Sequence, residues 1–424
     1  DIKVLNLAIQ YLKILIIRGR IMNDKKIYLA GIFLSLVIGY EDYIVFSSYI
    51  VLAVFTFLAL MTRVQKEIKI SAKLEVFNFS SKPKKRILST SLLLCILIIA
   101  SWFYGVAVGA FNGVKPENFL RNFFGLLLYL LFPIYLIIKP DSFSVAKIIV
   151  AAGFAQLIIA LYSFKPDSIL EINLSELNSI SDVRSSYSTS YTVIFPLLST
   201  SFGLLFFEIR NGFFKNKFVI SLIFILSLFS LLVVPASKGF ILASMILLLI
   251  IIFVWFKSKN IIFIMPVAIV LMFFLTQILY DNFTDLFEVL ILSFSLGEGG
   301  NAIREEQALA LISELSFFGA GLGSSLLSGY KRDDTGYGFE LTYLNLLHKL
   351  GFFSVPLFML YIYTFLKSLY WLFRDFKNIL PYICLGGCCY MIVGVGNPLL
   401  LSTMTVTLHC SILYIITKMK GRYD

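Results

Sequence analysis

A lone arginine among hydroxyl and aromatic side chains is the first group in this sequence that could do chemistry. Arg184 is followed by Ser185, Ser186 and Tyr187, and Pro196 lies in the apolar tract that comes next. A guanidinium group binds phosphate oxygens through two parallel N–H bonds, and aromatic faces cover sugar rings. The pattern favours a site for a phosphate joined to a sugar, although an ordinary polar loop has the same composition.

A second arginine lies on a predicted helix. The run 301–315 places apolar residues at helical spacing, Asn301 can cap its N-terminus, and Arg304 falls on its opening turn. We predict that this helix lies along a membrane surface. Its arginine either serves a ligand or forms a weak local ion pair of the kind common on surfaces. The candidate acidic partners are Glu298, Glu305 and Glu306.

Glycine-rich and charged residues follow this helix. Gly319, Gly321 and Gly323 predict a turn whose backbone could approach a ligand closely. No strand precedes the glycines and no Lys-Ser or Lys-Thr pair follows them, so a nucleotide-binding loop is excluded. The polar tip beyond the turn contains Lys331 and Arg332.

The start of the next apolar tract supplies further candidates. Glu340 and Tyr343 are expected at its outer mouth, and Lys349 lies deeper. A charge at that depth is costly and normally faces the protein interior or a cavity, so Lys349 either pairs with a buried group or contacts substrate. Lys238 lies in a minimal hairpin at 235–239 and is another candidate, although a lone hairpin lysine is usually just solvated.

The sequence predicts no metal site. All five cysteines fall in apolar tracts without metal-ligand spacing, and we interpret them as packing residues. The two histidines, His348 and His409, also lie in apolar segments. We therefore expect neither a metal nor a cofactor.

Long apolar tracts must position these groups. Of the 424 residues, 59% are hydrophobic and 14% are charged, a balance that a water-soluble domain could not carry on its surface. The tracts lack the alternation of a membrane β-barrel. We predict one all-α, polytopic membrane domain over 1–424 with about twelve helices that cross a core of about 30 Å. The predicted spans are 27–40, 43–62, 87–111, 119–138, 147–165, 191–207, 218–235, 239–256, 260–280, 341–366, 379–396 and 398–417.

Basic residues predict the orientation, because cytoplasmic loops retain Lys and Arg. Placing the basic segment 63–86 inside puts both termini in the cytoplasm and the segment 281–340 outside. That outer segment is too long for a simple connection and is expected to be an ordered functional element. Residues 1–21 are expected to be a non-native or cytoplasmic lead without a cleavable signal. The net charge of +11 is spread over these loops, so the predicted partner is the lipid bilayer and not nucleic acid.

These motifs, in this order, resemble the O-antigen polymerase and ligase superfamily over residues 180–355. The resemblance is carried by the following features: Arg184 before the Pro-bearing helix, Ser237-Lys238-Gly239, Arg304 followed by the 319–323 turn, and Glu340 with Gly351 after it. The flanking helices fit that family in topology.

Members of that family look like metal-independent glycosyltransferases of the GT-C type, acting on the periplasmic side of the bacterial inner membrane. The resemblance implies an undecaprenyl-diphosphate-linked oligosaccharide as donor, with Arg184 and Arg304 binding the diphosphate and Lys238 or Arg332 assisting. Such cations suit a reaction without a metal, because they stabilise developing phosphate charge. The other candidates for substrate binding are Tyr187, Tyr343 and Lys349.

One departure from the family pattern favours a polymerase over a ligase. Ligases typically carry a pair that begins with histidine at the head of the Gly351 helix, where this chain has Glu340-Leu341. The Glu340 carboxylate is a candidate to orient or deprotonate an acceptor hydroxyl. The alternatives are a ligase acting on lipid A core and a flippase, which should show two similar halves that this sequence lacks. A chain-length regulator protein is a further candidate partner.

Overall fold

The computed structural model of the protein describes residues 24–37, 45–74, 90–163, 191–207, 209, 212–232, 238–256, 299–331, 339–396 and 400–423. The described residues are mainly helical and include no strand, which confirms the all-α prediction for this part of the chain. Helices are expected of tracts this apolar, because a helix satisfies every backbone N–H and C=O within one segment where water is absent.

The α-helices are numbered here in chain order. They are α1 (Asp24–Val37), α2 (Val45–Leu74), α3 (Thr90–Phe111), α4 (Pro116–Phe123), α5 (Leu131–Ile138), α6 (Ser142–Ser163), α7 (Ile194–Phe206), α8 (Lys217–Leu232), α9 (Lys238–Phe256), α10 (Gly299–Ser313), α11 (Thr342–Leu350), α12 (Val355–Arg374), α13 (Ile379–Gly387), α14 (Tyr390–Val393) and α15 (Thr403–Tyr423).

Three stretches among the described residues are long and apolar enough to cross a membrane. They are Thr90–Phe111, Ser142–Tyr162 and Thr342–Arg374, the last of which runs through α11, a short 3-10 helix and α12. Shorter apolar helices occur at Tyr49–Val64, Phe124–Ile138, Tyr191–Phe206, Lys217–Leu232, Gly239–Val254 and Ile379–Val393. The helices are therefore those of a membrane-associated protein, while the total of about twelve spans stays a prediction. The predicted span 260–280 lies outside the described residues.

Two predicted segments differ in detail from the structure. The predicted span 119–138 is helical throughout but includes a 3-10 helix at Phe124–Leu130, where Gly125 packs against the Leu401 carbonyl. The first part of the predicted loop 63–86 is helical, because α2 continues to Leu74. Its continuation is rich in Lys, Gln and Glu, which have good helix propensity.

The predicted helix in the long outer segment is confirmed, with a shifted start. It is α10, which begins at Gly299, two residues before Asn301. Asn301 therefore lies within the helix and does not cap it, and Arg304 belongs to the second turn.

Two long-range hydrogen bonds join connections to other parts of the bundle. At one end, the Tyr414 hydroxyl donates to the Pro140 carbonyl at 2.5 Å. At the other end, the Asn112 side-chain amide donates to the Ala320 carbonyl at 3.0 Å. The alternation of loops and the assignment of each end to a membrane face stay predictions from charge.

A buried polar network fixes α15 in the core. The His409 ring is fully buried, with Nδ1 2.9 Å from the Tyr129 hydroxyl and Nε2 2.8 Å from the Thr364 hydroxyl. Thr364 already donates its proton to the Leu360 carbonyl, so it accepts from Nε2, and Nδ1 then accepts from Tyr129. Both ring nitrogens are satisfied, which makes His409 a packing residue of the core.

Candidate functional site

An ion pair joins α10 to the residues just before α11. Arg304 Nε donates to Glu340 Oε2 at 2.9 Å, and we call these two residues the charged pair. The sequence offered Glu298, Glu305 and Glu306 as local partners, but the structure pairs Arg304 with a carboxylate 36 positions away. It therefore brings together two of the three residues predicted to be catalytic.

The charged pair is partly shielded and still open to solvent. The Arg304 and Glu340 side chains are 24% and 17% exposed. A Cβ added at Gly396, in the connection between α14 and α15, would lie 3.9 Å from Arg304 Nε. Among the described residues, Arg304 donates the Nε–H, one of its five N–H groups, to Glu340. Its terminal amino groups are suited to bind an anion.

Gln307 ties the same two helices together, and sequence reasoning missed it. It lies one turn after Arg304 and is fully buried, and its Oε1 accepts the Leu341 backbone N–H at 3.0 Å. Leu311, one further turn along α10, packs with Leu326 in a small apolar cluster beneath. Arg304, Gln307 and Leu311 are spaced so that they share one face of α10. That spacing is visible in the sequence and could have indicated that Gln307 faces the same neighbour as Arg304.

The glycine-rich turn approaches protein backbone closely. The Gly321 N–H donates to the Lys349 carbonyl and the Leu322 N–H to the Gly105 carbonyl, both at 2.9 Å. Each of the three predicted glycines has a positive φ, between 74° and 89°. The close approach that we predicted for a ligand is occupied here by α3 and the end of α11.

Two glycines of α3 receive this turn. A Cβ at Gly105 would lie 2.6 Å from the Leu322 side chain, and one at Gly109 would meet the Leu322 backbone. Small residues four apart let backbones approach in membrane helices. This spacing within the apolar tract was the sequence signal that could have identified the glycine turn as a packing motif.

Lys349 lies in the protein interior. Its side chain is fully buried, donates to the Ser324 carbonyl and sits 5.1 Å from the centre of the Phe339 ring. Of the two possibilities that the sequence left open, these contacts match pairing with a buried carbonyl.

Glu314, just after α10, holds the segment that follows the glycine turn. Its carboxylate accepts the backbone N–H groups of Leu327 and Ser328 at 2.7 and 2.8 Å, and His348 Nε2 lies 3.9 Å away. Burial by itself would raise the pKa of Glu314, but the N–H groups of Ser328 and Leu327, helped by His348, hold it below its ordinary value. Glu314 is therefore an ionised clamp on this loop.

Tyr343, three residues after Glu340, lines an apolar cavity. Its hydroxyl donates to the Met391 carbonyl at 2.9 Å, and its ring helps line a cavity of ≈ 420 Å³ between α9, α12, α13 and α14. Two chain segments lead from the cavity to the charged pair: one runs from Tyr343 back to Glu340, and the other from Ile392 to Gly396. The cavity lining and the charged pair are therefore close along the chain at two places.

The remaining predicted site residues cannot be located in this way. Arg184, Tyr187 and Arg332 lie outside the described residues. Lys238 is the first residue of α9, and its side chain is also outside the description. The convergence of Arg184 with Arg304 therefore stays a prediction.

Within the parts of the chain that the structure describes, no three His, Cys, Asp or Glu side chains gather as metal ligands would. The described arrangement offers an arginine, a carboxylate, a buried amide and an apolar cavity, which is chemistry suited to an anionic amphiphile. In comparisons with known proteins, no family model matches the chain and no curated protein shows significant similarity to it.

Proposed function

We propose that the protein polymerises oligosaccharide repeat units carried on undecaprenyl diphosphate, and so builds an O-antigen or capsular polysaccharide at the periplasmic face of the bacterial inner membrane. The charged pair is the observation that carries the proposal. Two residues expected to perform the chemistry meet although they lie 36 positions apart, and Tyr343, three residues after Glu340, lines an apolar cavity.

The proposed reaction is glycosyl transfer between two lipid-linked glycans. A hydroxyl oxygen of the acceptor's non-reducing sugar attacks the anomeric carbon of the donor chain, and the bond from that carbon to the diphosphate oxygen breaks. The electron pair leaves on the lipid diphosphate, Glu340 receives the hydroxyl proton, and Arg304 stabilises the developing negative charge. Inversion at the anomeric carbon is implied by the family resemblance.

The charged pair gives this reaction an order of events. Without substrate, the guanidinium and the carboxylate satisfy each other at 2.9 Å. A diphosphate carries more negative charge than a carboxylate and competes for the same guanidinium. Donor binding would then draw the Arg304 guanidinium from Glu340 toward the diphosphate, where the charge of the leaving group develops.

The cavity supports a lipid-linked substrate. Its lining is apolar, with the rings of Phe358, Tyr361 and Phe365 on one wall, and it lies among helices apolar enough for a bilayer. A hydrocarbon chain in this cavity and an anionic head at Arg304 would match the two halves of a polyprenyl diphosphate. Because lipid tails are as apolar as this lining, a polyprenyl chain could move between the bilayer and the cavity at little cost.

We place the charged pair on the periplasmic side from the distribution of basic residues. The end of the bundle that holds Pro140 also carries Lys139 and Lys418, and α12 ends there at Arg374. Basic residues near the ends of spans favour the cytoplasmic face. The charged pair lies at the opposite end.

Chain-length analysis of polymer made by the purified protein from a lipid-linked repeat unit tests the proposal. We expect Glu340→Gln and Arg304→Ala each to lower polymer formation by about 10²-fold or more, since each removes a group that acts in the transition state. Glu305→Gln is the matched control, because Glu305 is an exposed carboxylate on the same helix. Wild-type chain lengths in both site variants would rule out the assignment.

Deletion of the gene separates polymerase from ligase. A polymerase deletion leaves surface lipid capped with single repeat units in place of a ladder. Loss of all attached glycan would instead favour the ligase alternative.

A further inference from the structure

A buried amide lies directly beside the charged pair. Gln307 is fully buried, its Oε1 accepts the Leu341 N–H at 3.0 Å, and its Nε2 has no hydrogen-bond partner among the described residues. Leu311, one turn further along α10, belongs to an apolar cluster with Leu326 and Phe339. A polar side chain in such surroundings is costly unless its hydrogen bond contributes something that an apolar residue of the same size cannot.

The hydrogen bond satisfies a helix-terminal N–H group. Leu341 immediately precedes α11, and the first N–H groups of a helix have no carbonyl acceptor within it. The Leu341 side chain packs beside the apolar cluster, so water is a poor substitute acceptor for this N–H. The Gln307 carbonyl oxygen supplies the acceptor from α10.

The same bond orients Glu340. The N–H that Gln307 holds belongs to the peptide unit between Glu340 and Leu341, while Arg304 holds the Glu340 carboxylate. Arg304 and Gln307 are three residues apart on one helix and lie on the same face. The backbone and side chain of Glu340 are thus fixed at two points by adjacent turns of α10.

We infer that Gln307 is a positioning residue, which sets the register of α10 against α11 so that Arg304 and Glu340 meet. This role rests on the proposed function where catalysis is concerned, whereas the geometry of the contact does not depend on it. Loss of the amide would leave α10 attached through its apolar contacts and free to shift, and the charged pair would loosen.

The test compares two buried glutamines. Gln307→Met keeps the length of the side chain and removes the acceptor. Gln156→Met is the matched control, because Gln156 is also buried but donates to the Val37 carbonyl at 2.8 Å on other helices. The rate at which phenylglyoxal labels Arg304, measured by mass spectrometry, reports whether Arg304 is held by Glu340. This measurement needs no activity assay.

We expect Gln307→Met to speed labelling of Arg304 severalfold and to lower kcat about 10- to 100-fold, as a misplaced catalytic group does, with a smaller change in KM. Gln156→Met should leave both at wild-type values. Wild-type labelling in Gln307→Met, wild-type kcat in Gln307→Met, or equal effects in the two variants would each overturn the inference. A wild-type protein that forms no polymer would refute the proposed function alone, since the labelling rates would still decide the positioning role.

Discussion

Replacement of Gly321 by alanine tests whether the glycine turn packs against protein or against a ligand. Gly321 has φ +89°, and a Cβ there would lie 2.6 Å from the Cα of Gly109, on α3. Real Cβ atoms do not approach that closely, so the turn or the helix must move. Movement would also stretch the Gly321 N–H bond to the Lys349 carbonyl, now 2.9 Å long.

Gly329 provides the matched control. It has a similar φ of +78°, but an added Cβ would meet nothing within 4 Å. Alanine at either site costs about 1–2 kcal/mol for the left-handed backbone. Only Gly321→Ala adds the cost of overpacking, about 1–3 kcal/mol. The difference between the two variants therefore isolates the backbone contact.

Thermal unfolding followed by tryptophan fluorescence measures this difference. Trp102 is buried on α3 one turn before Gly105 and reports directly on the contact. For a chain of this length, a loss of 1 kcal/mol lowers Tm by about 1 °C, so Gly321→Ala should melt about 1–3 °C below Gly329→Ala. Equal Tm values would refute the packing role. Wild-type stability with lost polymer formation would mean that Gly321 faces a ligand after all.

Two further substitutions test the supports of the site and the core. Glu314→Gln should lower stability by about 1 kcal/mol, since its bonds to the Leu327 and Ser328 N–H groups lose their charge. Because folding lowers the pKa of Glu314, the wild-type protein should be more stable than Glu314→Gln at pH values above the unfolded pKa. This difference in the free energy of unfolding should vanish as the pH falls through the folded pKa. A difference that does not change with pH would contradict the prediction. Thr364→Val should lower stability by about 1–3 kcal/mol by leaving the His409 N–H unpaired, whereas Thr364→Ser should not; equal Tm values for the two would contradict the network.

Hydropathy predicted the apolar helices because each one depends mainly on its own residues. The predicted tract 87–111 is observed as Thr90–Phe111, and 218–235 as Lys217–Leu232. A helix in an apolar environment closes its backbone hydrogen bonds locally, so the composition of the tract is nearly sufficient. The same holds for α10, whose apolar periodicity was visible despite its polar face.

Contacts between segments could not be predicted in the same way. The partner of Arg304 is 36 positions away, whereas the sequence contained three nearer carboxylates that were candidates for the same ion pair. Local spacing ranks partners on one helix, but it carries no information on which helix docks against which. The glycine turn shows the same limit. The spacing of its glycines predicts a turn whose backbone another group can approach closely, but it does not identify that group as ligand or protein.

Gln307 was overlooked for a different reason. A glutamine in an amphipathic helix is normally assigned to the solvent face, since most glutamines are exposed. Here the buried face of α10 is the one that carries Arg304, Gln307 and Leu311, while Ile303 and Leu309 are largely exposed. The buried face is mixed, because Arg304 and Gln307 meet the residues just before α11 and Leu311 packs in the apolar cluster. Glu305 and Glu306 of the same helix are exposed.

The contacts on this mixed face would let the charged pair exchange partners, as the proposed function requires, without loss of the fold. If a diphosphate takes Arg304 from Glu340, α10 is still held by the Gln307 bond to Leu341 and by Leu311 in the apolar cluster. Beyond its C-terminus, Glu314 clamps the loop that follows. The partly exposed ion pair contributes little to stability, about 0–1 kcal/mol, so its opening costs little. The contacts that hold the helix are therefore separate from the contact that the proposed chemistry must break.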